Sequence, residues 1–337
     1  MINLELKPKY SEIFRSAIGP GKTTYEDNIR FVGSGKAAIG LILQYMTLKG
    51  ILDYKMSPIF VPPWMGTWVY ASFLPYAFPV LEPNDTKVIW CYHQYGFPQD
   101  MDRLRDFADS RKMIVIEDCA HTCDSKYNNQ SLGTFGDFSL YSFSKFYFSF
   151  ALGGVWGRDA DFFSFVEDTI SKSPSTLRFI TNTFKFFDTI KFIRRFPLFA
   201  NLMDAGREMN YAIYYRQPIP GKWGIRLWLK AKNQEKKMRH KNYSLLWEET
   251  IGWGLCDHLE ENGVIPYAVP LAVPNQKVAK VIRELNSVNI WAGFRRFDVA
   301  RCMFEPDYQK CVLVPIHSGM TGAPMAKLLD VLKRNFS

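Results

Sequence analysis

The sequence predicts an α/β fold: a large domain with a mostly parallel, mixed sheet flanked by helices, then a smaller C-terminal α+β domain. Three observations carry this expectation. Short apolar runs alternate with amphipathic segments from residue 29 to residue 141. Turn-forming and polar residues cluster just after those runs, where open α/β sheets build their sites. The chain has 337 residues, 47% hydrophobic and 16% aromatic, enough to bury one large core and a smaller second one.

The elements follow in order. Ile29 to Val32 reads as a strand, Gly33-Ser34-Gly35 as a turn, and Lys36 to about Leu48 as a helix with Ile39, Leu43 and Met46 on one face. Ile59 to Val61 is a short strand stopped by Pro62-Pro63, and Thr67 to about Tyr76 is helical. Lys87 to Tyr92 is a buried strand, Met101 to about Ser110 an amphipathic helix, and Met113–Ile116 and Phe138–Tyr141 are strands. Residues 160–216 form a Phe-rich, basic, helical segment that closes the large domain at 216. A Pro/Gly-rich linker, Gln217 to Gly224, opens the second domain at 217–337. There a long helix runs from Ile225 to about Thr250. Strand, helix and strand follow at 264–273, 277–288 and 311–316, with a last helix near Met325–Arg334.

The net charge of +9 favours an anionic partner: nucleic acid, anionic lipid or a small anionic substrate. No nucleic-acid signature accompanies it, so a polymer of that kind is excluded. The basic run from Lys230 to Lys241 reads as a solvated helix face. Six scattered cysteines lack CxxC pairing and read as free thiols in a reducing compartment. Cys119 and Cys123 flank His121, but no second ligand cluster supports a metal. The N-terminus shows no apolar signal region, and no run of 18 apolar residues follows, so a cytoplasmic protein is expected.

One stretch carries chemistry. The apolar run Val115-Ile116 ends in Glu117-Asp118-Cys-Ala-His121; Ser142-Phe-Ser-Lys145 and Gly153-Gly154 follow. Pyridoxal phosphate needs such a set: a carboxylate to keep the pyridine nitrogen protonated, a lysine for the Schiff base, and a hydroxyl near the phosphate. Lys145 is assigned to the Schiff base and Asp118 to the pyridine nitrogen. Ser34, Gly35 and Lys36 open a helix, whose backbone N–H groups suit a phosphate dianion.

The order of motifs resembles the DegT/StrS family of pyridoxal-phosphate-dependent nucleotide-sugar aminotransferases. The residues that carry it are Ser34-Gly-Lys-Ala-Ala, Val61-Pro-Pro-Trp-Met-Gly-Thr67-Trp68, Tyr95-Gly-Phe-Pro-Gln-Asp, Val115-Ile-Glu-Asp-Cys-Ala-His121, Gly133-Thr-Phe-Gly-Asp137, Ser142-Phe-Ser-Lys145 and Gly153-Gly154. The similarity is dense from about residue 29 to 158. It thins through 160–215 and returns weakly at Glu235–Tyr243 and Val312–His317. The resemblance implies fold type I of the pyridoxal-phosphate enzymes, a homodimer, and transfer of nitrogen from an amino acid such as glutamate to a nucleotide-linked keto sugar. Such sugars serve surface polysaccharides or secondary metabolites.

It further implies that Trp68 stacks on the cofactor ring, with Trp64 the alternative, and that His121 lies near its phenolic oxygen or ring face. Ser142 is the phosphate hydroxyl, with Ser139 and Ser144 as alternatives. Arg295 and Arg296 are either contacts for a donor carboxylate or diphosphate, or plain surface arginines. Two departures stand out: the chain between Val80 and Lys87 is short, and the family's neighbouring-subunit asparagine has no clear match beyond Asn210. Three other readings remain open: a same-fold enzyme without transaminase activity, one acting on a small keto phosphate or cyclitol, and a membrane-surface protein using the basic Phe-rich segment 177–199.

Overall fold

The computed structural model describes residues 1–6, 25–26, 28–122, 124–189, 197–213, 216–259 and 262–336. Cys123 and much of the Phe-rich stretch, Lys191, Phe192, Arg194, Arg195 and Phe196 included, lie outside them, as does the side chain of Asn210.

Among the described residues eight strands form the main sheet, in the order β1-β2-β10-β9-β6-β5-β3-β4. They are β1 (Tyr25–Glu26), β2 (Ile29–Val32), β3 (Pro58–Phe60), β4 (Phe78–Val80), β5 (Val88–Tyr92), β6 (Ile114–Cys119), β9 (Phe138–Tyr141) and β10 (Gly153–Gly157). β4, β3, β5, β6 and β9 run parallel, while β10 is antiparallel to both β9 and β2. The small ribbon of β7 (Lys126–Tyr127) and β8 (Gln130–Ser131) stands apart.

The central strands are buried on both faces, as parallel sheets covered by helices must be. Their residues alternate between two cores. Val88 and Trp90 pack with Ile39, Ile42, Leu43 and Met46 of the helix Gly35–Leu48. Ile89 and Cys91 pack with Met101, Leu104 and Ala108 of the helix Met101–Ser110 on the other side. Each such aliphatic side chain stabilises the fold by about 1.5–3 kcal/mol before entropy is counted.

β6 runs three residues past its expected end at Ile116, through Glu117, Asp118 and Cys119. Pairing on both sides explains this: Cys91 and Tyr92 of β5 face Glu117 and Asp118, which face Ser139 and Leu140 of β9. Glu117 is tolerated at 0% exposure because its oxygens accept from Gly133 N–H at 2.7 Å and Gly136 N–H at 2.5 Å, and lie 3.1 Å from His93 Nε2. The helix at Thr67 is shorter than expected, ending at Phe73.

A second, antiparallel sheet has the order β11-β13-β12: β11 (Ala268–Leu271), β12 (Gly293–Asp298) and β13 (Tyr308–Pro315). Helices Asn275–Ser287 and Ala323–Phe336 pack with it. The long helix Lys222–Thr250 joins this half to the first. One continuous core runs across both, from Phe31, Tyr95 and Phe143 to Tyr267, Val314 and Leu332. The described residues of 160–216 hold three helices, Ala160–Lys172, Ser175–Thr189 and Pro197–Ile213. Phe179, Leu198, Leu202 and Met209 are exposed there. Among the described residues no helix is long and apolar enough to cross a membrane.

Candidate active site

Asp118 stands near the carboxyl end of β6, 2% exposed. Its carboxylate accepts from Ala120 N–H at 2.9 Å and Trp90 Nε1–H at 3.3 Å. Burial pushes this carboxyl above its ordinary range, while these N–H donors pull it back.

His121 follows on the next turn. Its Nε2 lies 2.8 Å from Lys145 Nζ, and its Nδ1 lies 2.6 Å from the Tyr92 hydroxyl. The ring is sandwiched: Tyr267 stacks at 4.6 Å between centroids and 4°, Tyr95 at 5.8 Å and 17°. Burial holds the imidazole well below its ordinary proton affinity.

Lys145 sits on the short helix Phe143–Phe146 that follows β9, where its backbone N–H donates to Ser142 O at 3.1 Å. A cavity of about 520 Å³ opens above these groups, lined by Trp64, Tyr92, Tyr95, Asp118, His121 and Lys145, with Arg295 and Arg296 on exposed β12 positions. The two arginines, open at the level of sequence, thus face the same cavity as the lysine. Arg296 also lies over the Trp64 ring at 4.7 Å.

A second group of expected residues gathers beside the first. Ser34 caps the helix Gly35–Leu48, its hydroxyl accepting from Ala37 N–H at 3.0 Å. A Cβ on Gly35 would lie 3.1 Å from Ser142 Cβ and 3.3 Å from its Oγ, so the helix N-terminus and Ser142 are packed together. Of the alternatives, Ser139 points within the sheet to Tyr141 Oη at 3.3 Å, and Ser144 follows on the short helix. Lys36 Nζ lies 5.0 Å from the Trp68 ring, placing Trp68 at this cradle, whereas Trp64 lines the cavity with Lys145.

Gly153 explains half of the glycine pair. A Cβ there would come within 2.4 Å of the Ser34 carbonyl carbon and 2.6 Å of Gly35 N. β10 therefore presses directly on the turn that opens the helix, which only glycine permits.

Sequence reasoning missed several residues. Tyr92 ends β5 and Tyr95 lies in the turn that follows it, but nothing singled out their rings. Tyr267 comes from the far half of the chain with no local signal. Arg239, on the long helix and 0% exposed, donates to Tyr267 O at 2.8 Å, Pro266 O at 3.2 Å and Phe146 O at 3.2 Å, and pairs with Glu235 at 2.8 Å. It ties the residue next to Lys145 to the segment carrying Tyr267.

The architecture is that of the fold type I pyridoxal-phosphate enzymes. The model superposes on the Escherichia coli GDP-4-keto-6-deoxy-D-mannose-3-dehydratase, solved with hydrated cofactor, with a TM-score of 0.69, 15% identity, and coverage of 98% of this chain and 99% of that one. Residues 80–150 match the DegT/DnrJ/EryC1/StrS aminotransferase family, so the resemblance read from the motifs is borne out there. The chain is similar to the GDP-perosamine synthase of Escherichia coli O157:H7, 38% identical over 114 residues, 33% of this chain and 30% of that one. It is also similar to a UDP-N-acetyl-3-dehydro-alpha-D-glucosamine 3-aminotransferase of Acidithiobacillus ferrooxidans, 29% identical over 126 residues, 37% and 30% of the two chains. The aligned stretch thus spans 30% of the length of each of these curated relatives.

Proposed function

We propose that the chain is a pyridoxal-phosphate-dependent aminotransferase that carries nitrogen from an amino acid, glutamate by resemblance, to a nucleotide-linked keto sugar. The observation that carries this reading is the convergence of Lys145, His121 and the buried carboxylate of Asp118 on one cavity. One relative named for a sugar-nucleotide product and another named for aminating a dehydro sugar nucleotide support the acceptor class. We further read the protein as a cytoplasmic homodimer. Its five described cysteines are buried and free, in keeping with a reducing compartment.

The residues fit the cofactor. Asp118 offers a buried carboxylate for a protonated pyridine nitrogen, and Lys145 an amine. Ser34, Gly35, Lys36 and Ser142 offer a helix N-terminus cleared by glycine, hydroxyls and a cation for the phosphate. Trp64 and Trp68 offer flat faces for a ring, and His121 lies in the cavity wall beside Lys145. Bound there, pyridoxal phosphate supplies an electron sink that makes the carbon bearing the amino group acidic. Lys145 Nζ would carry the proton between that carbon and the cofactor's C4′. Asp118 holds the charge that keeps the sink effective. Arg295 and Arg296, exposed on the rim, orient the donor carboxylate or the acceptor diphosphate.

The absorption spectrum of the purified protein tests this. We expect a visible-edge band on adding pyridoxal phosphate, removed by borohydride and absent in Lys145→Ala. A chain that stays colourless with added cofactor overturns the reading.

A further inference from the structure

The donors around His121 settle more than its position. Nδ1 faces two groups: the backbone N–H of Tyr95 at 3.4 Å and the Tyr92 hydroxyl at 2.6 Å. A backbone N–H can only donate. The buried Tyr92 phenol stays protonated and can donate or accept; because the Tyr95 N–H already calls for a lone pair on Nδ1, the hydroxyl at 2.6 Å donates to it as well. A ring nitrogen approached by donors carries its lone pair there. Burial keeps the ring neutral, so its single proton belongs on Nε2. Nε2 in turn faces Lys145 Nζ at 2.8 Å, and an N–H aimed at an amine needs a lone pair on that amine.

We propose that Tyr92 and the Tyr95 backbone lock His121 in its Nε2–H tautomer, and that this imidazole holds Lys145 as the neutral amine before the cofactor arrives. The inference rests on reading Lys145 as the reactive amine. Tyr92 is a positioning residue, acting through His121.

Backbone geometry supports the lock. Tyr95 adopts φ +55°, a left-handed conformation that costs a bulky residue about 1–2 kcal/mol, at the residue whose N–H meets Nδ1. Gly96 follows at φ +97°, where a Cβ would lie 2.6 Å from His121 O. Tyr267 and Tyr95 fix the ring plane from its two sides.

The other charged and titratable groups around the pair pull in both directions. Asp118 favours the ammonium form of Lys145. Arg295 and Arg296, lining the same cavity, favour the amine. Tyr95 and Tyr267 are phenols kept protonated by burial, Arg239 and Glu5 act on Tyr267 with opposite signs, and Tyr308 and Asp118 act on Tyr92. An imidazole N–H aimed at Nζ from 2.8 Å needs the lone pair that the amine carries and the ammonium lacks.

Nitrogen-15 NMR of histidine-labelled apoprotein reads the tautomer, with His121→Gln assigning the signal. A pyridine-like Nδ1 and pyrrole-like Nε2 are expected; the reverse overturns the proposal. The second readout is the pH profile of Lys145 labelling by reductive methylation of the apoprotein. In Tyr92→Phe its midpoint should rise by about one unit, a rate loss of about tenfold at fixed pH. An unchanged profile, with Tyr92→Phe folded, overturns it. Should that variant fail to fold, the wild-type NMR result decides alone. A protein with the expected tautomer that binds no pyridoxal phosphate would count against the aminotransferase reading and leave the lock standing.

Discussion

At the scale of single residues, Asp118 and His317 make separate predictions. Asp118→Asn keeps the shape of a buried side chain that accepts from Ala120 and Trp90 but removes its charge. Losing a charge-assisted hydrogen bond of about 1.5–3 kcal/mol should lower turnover by roughly 10- to 200-fold, read by steady-state kinetics, with the fold intact by circular dichroism. His317 is 2% exposed; its Nε2–H donates to Asn3 O at 2.8 Å and its Nδ1 accepts from Gly319 N–H at 3.1 Å. Burial pushes it down to about 4. The unfolded chain, at about 6.5, then binds the extra proton first. The stability this confers is therefore complete above pH 6.5 and lost as pH falls to about 4, a change of roughly 3 kcal/mol. Denaturant titrations between pH 7 and 4 should show that slope, and His317→Gln should flatten it. Local chemistry made Asp118, His121 and Lys145 readable, because each lies in a short motif. Tyr267 and Arg239 were not, since contacts between distant segments leave no periodic mark.

At the scale of elements, close packing sets the tolerances. Gly153→Ala would drive a methyl into the Ser34–Gly35 backbone, 2.4–2.6 Å away. Neither partner is a flexible side-chain end, so the cost is that of overpacking, about 1–3 kcal/mol. The thermal midpoint should fall, and cofactor uptake should weaken with it. The Glu235–Arg239 pair makes a different forecast. Arg239→Met leaves the buried Glu235 carboxylate without its cation, with the Ser318 N–H beside it at 3.3 Å, and should cost about 3–5 kcal/mol. Pairing it with Glu235→Leu should recover part of that loss in denaturant melts; a fully additive double variant would refute the coupling. Strands β2, β3, β5, β6 and β9 of the large sheet were readable as short apolar runs, while β1, β4 and β10, with two residues, a proline and a glycine pair respectively, left no such mark. β12 was not: it pairs only with β13, and Phe294, Arg295 and Arg296 are three exposed residues in succession, which breaks the alternation that marks a strand. β6 looked shorter because a carboxylate pair reads as the end of a strand, until backbone donors are found for Glu117.

At the scale of the molecule, the helices of residues 160–216 matter most. Phe179 is 72% exposed, Leu198 77% and Met209 72%, a spread of large apolar groups that a lone monomer rarely shows to water. We expect these faces to meet a second copy. Analytical ultracentrifugation should give a dimer, and Leu198→Glu with Met209→Glu should give monomer. The rival, a bilayer surface, predicts instead that wild type sediments with anionic vesicles and that the double variant does not.

The sandwich of His121 between Tyr95 and Tyr267 has a consequence for how this chain can be cut. One slice of the sandwich is made before residue 217 and the other after it, and the guanidinium that fastens the second slice also comes from beyond that point. Expressed alone, the first 216 residues would carry every residue of the chemical motif and still be inert, an engine block delivered without its cylinder head.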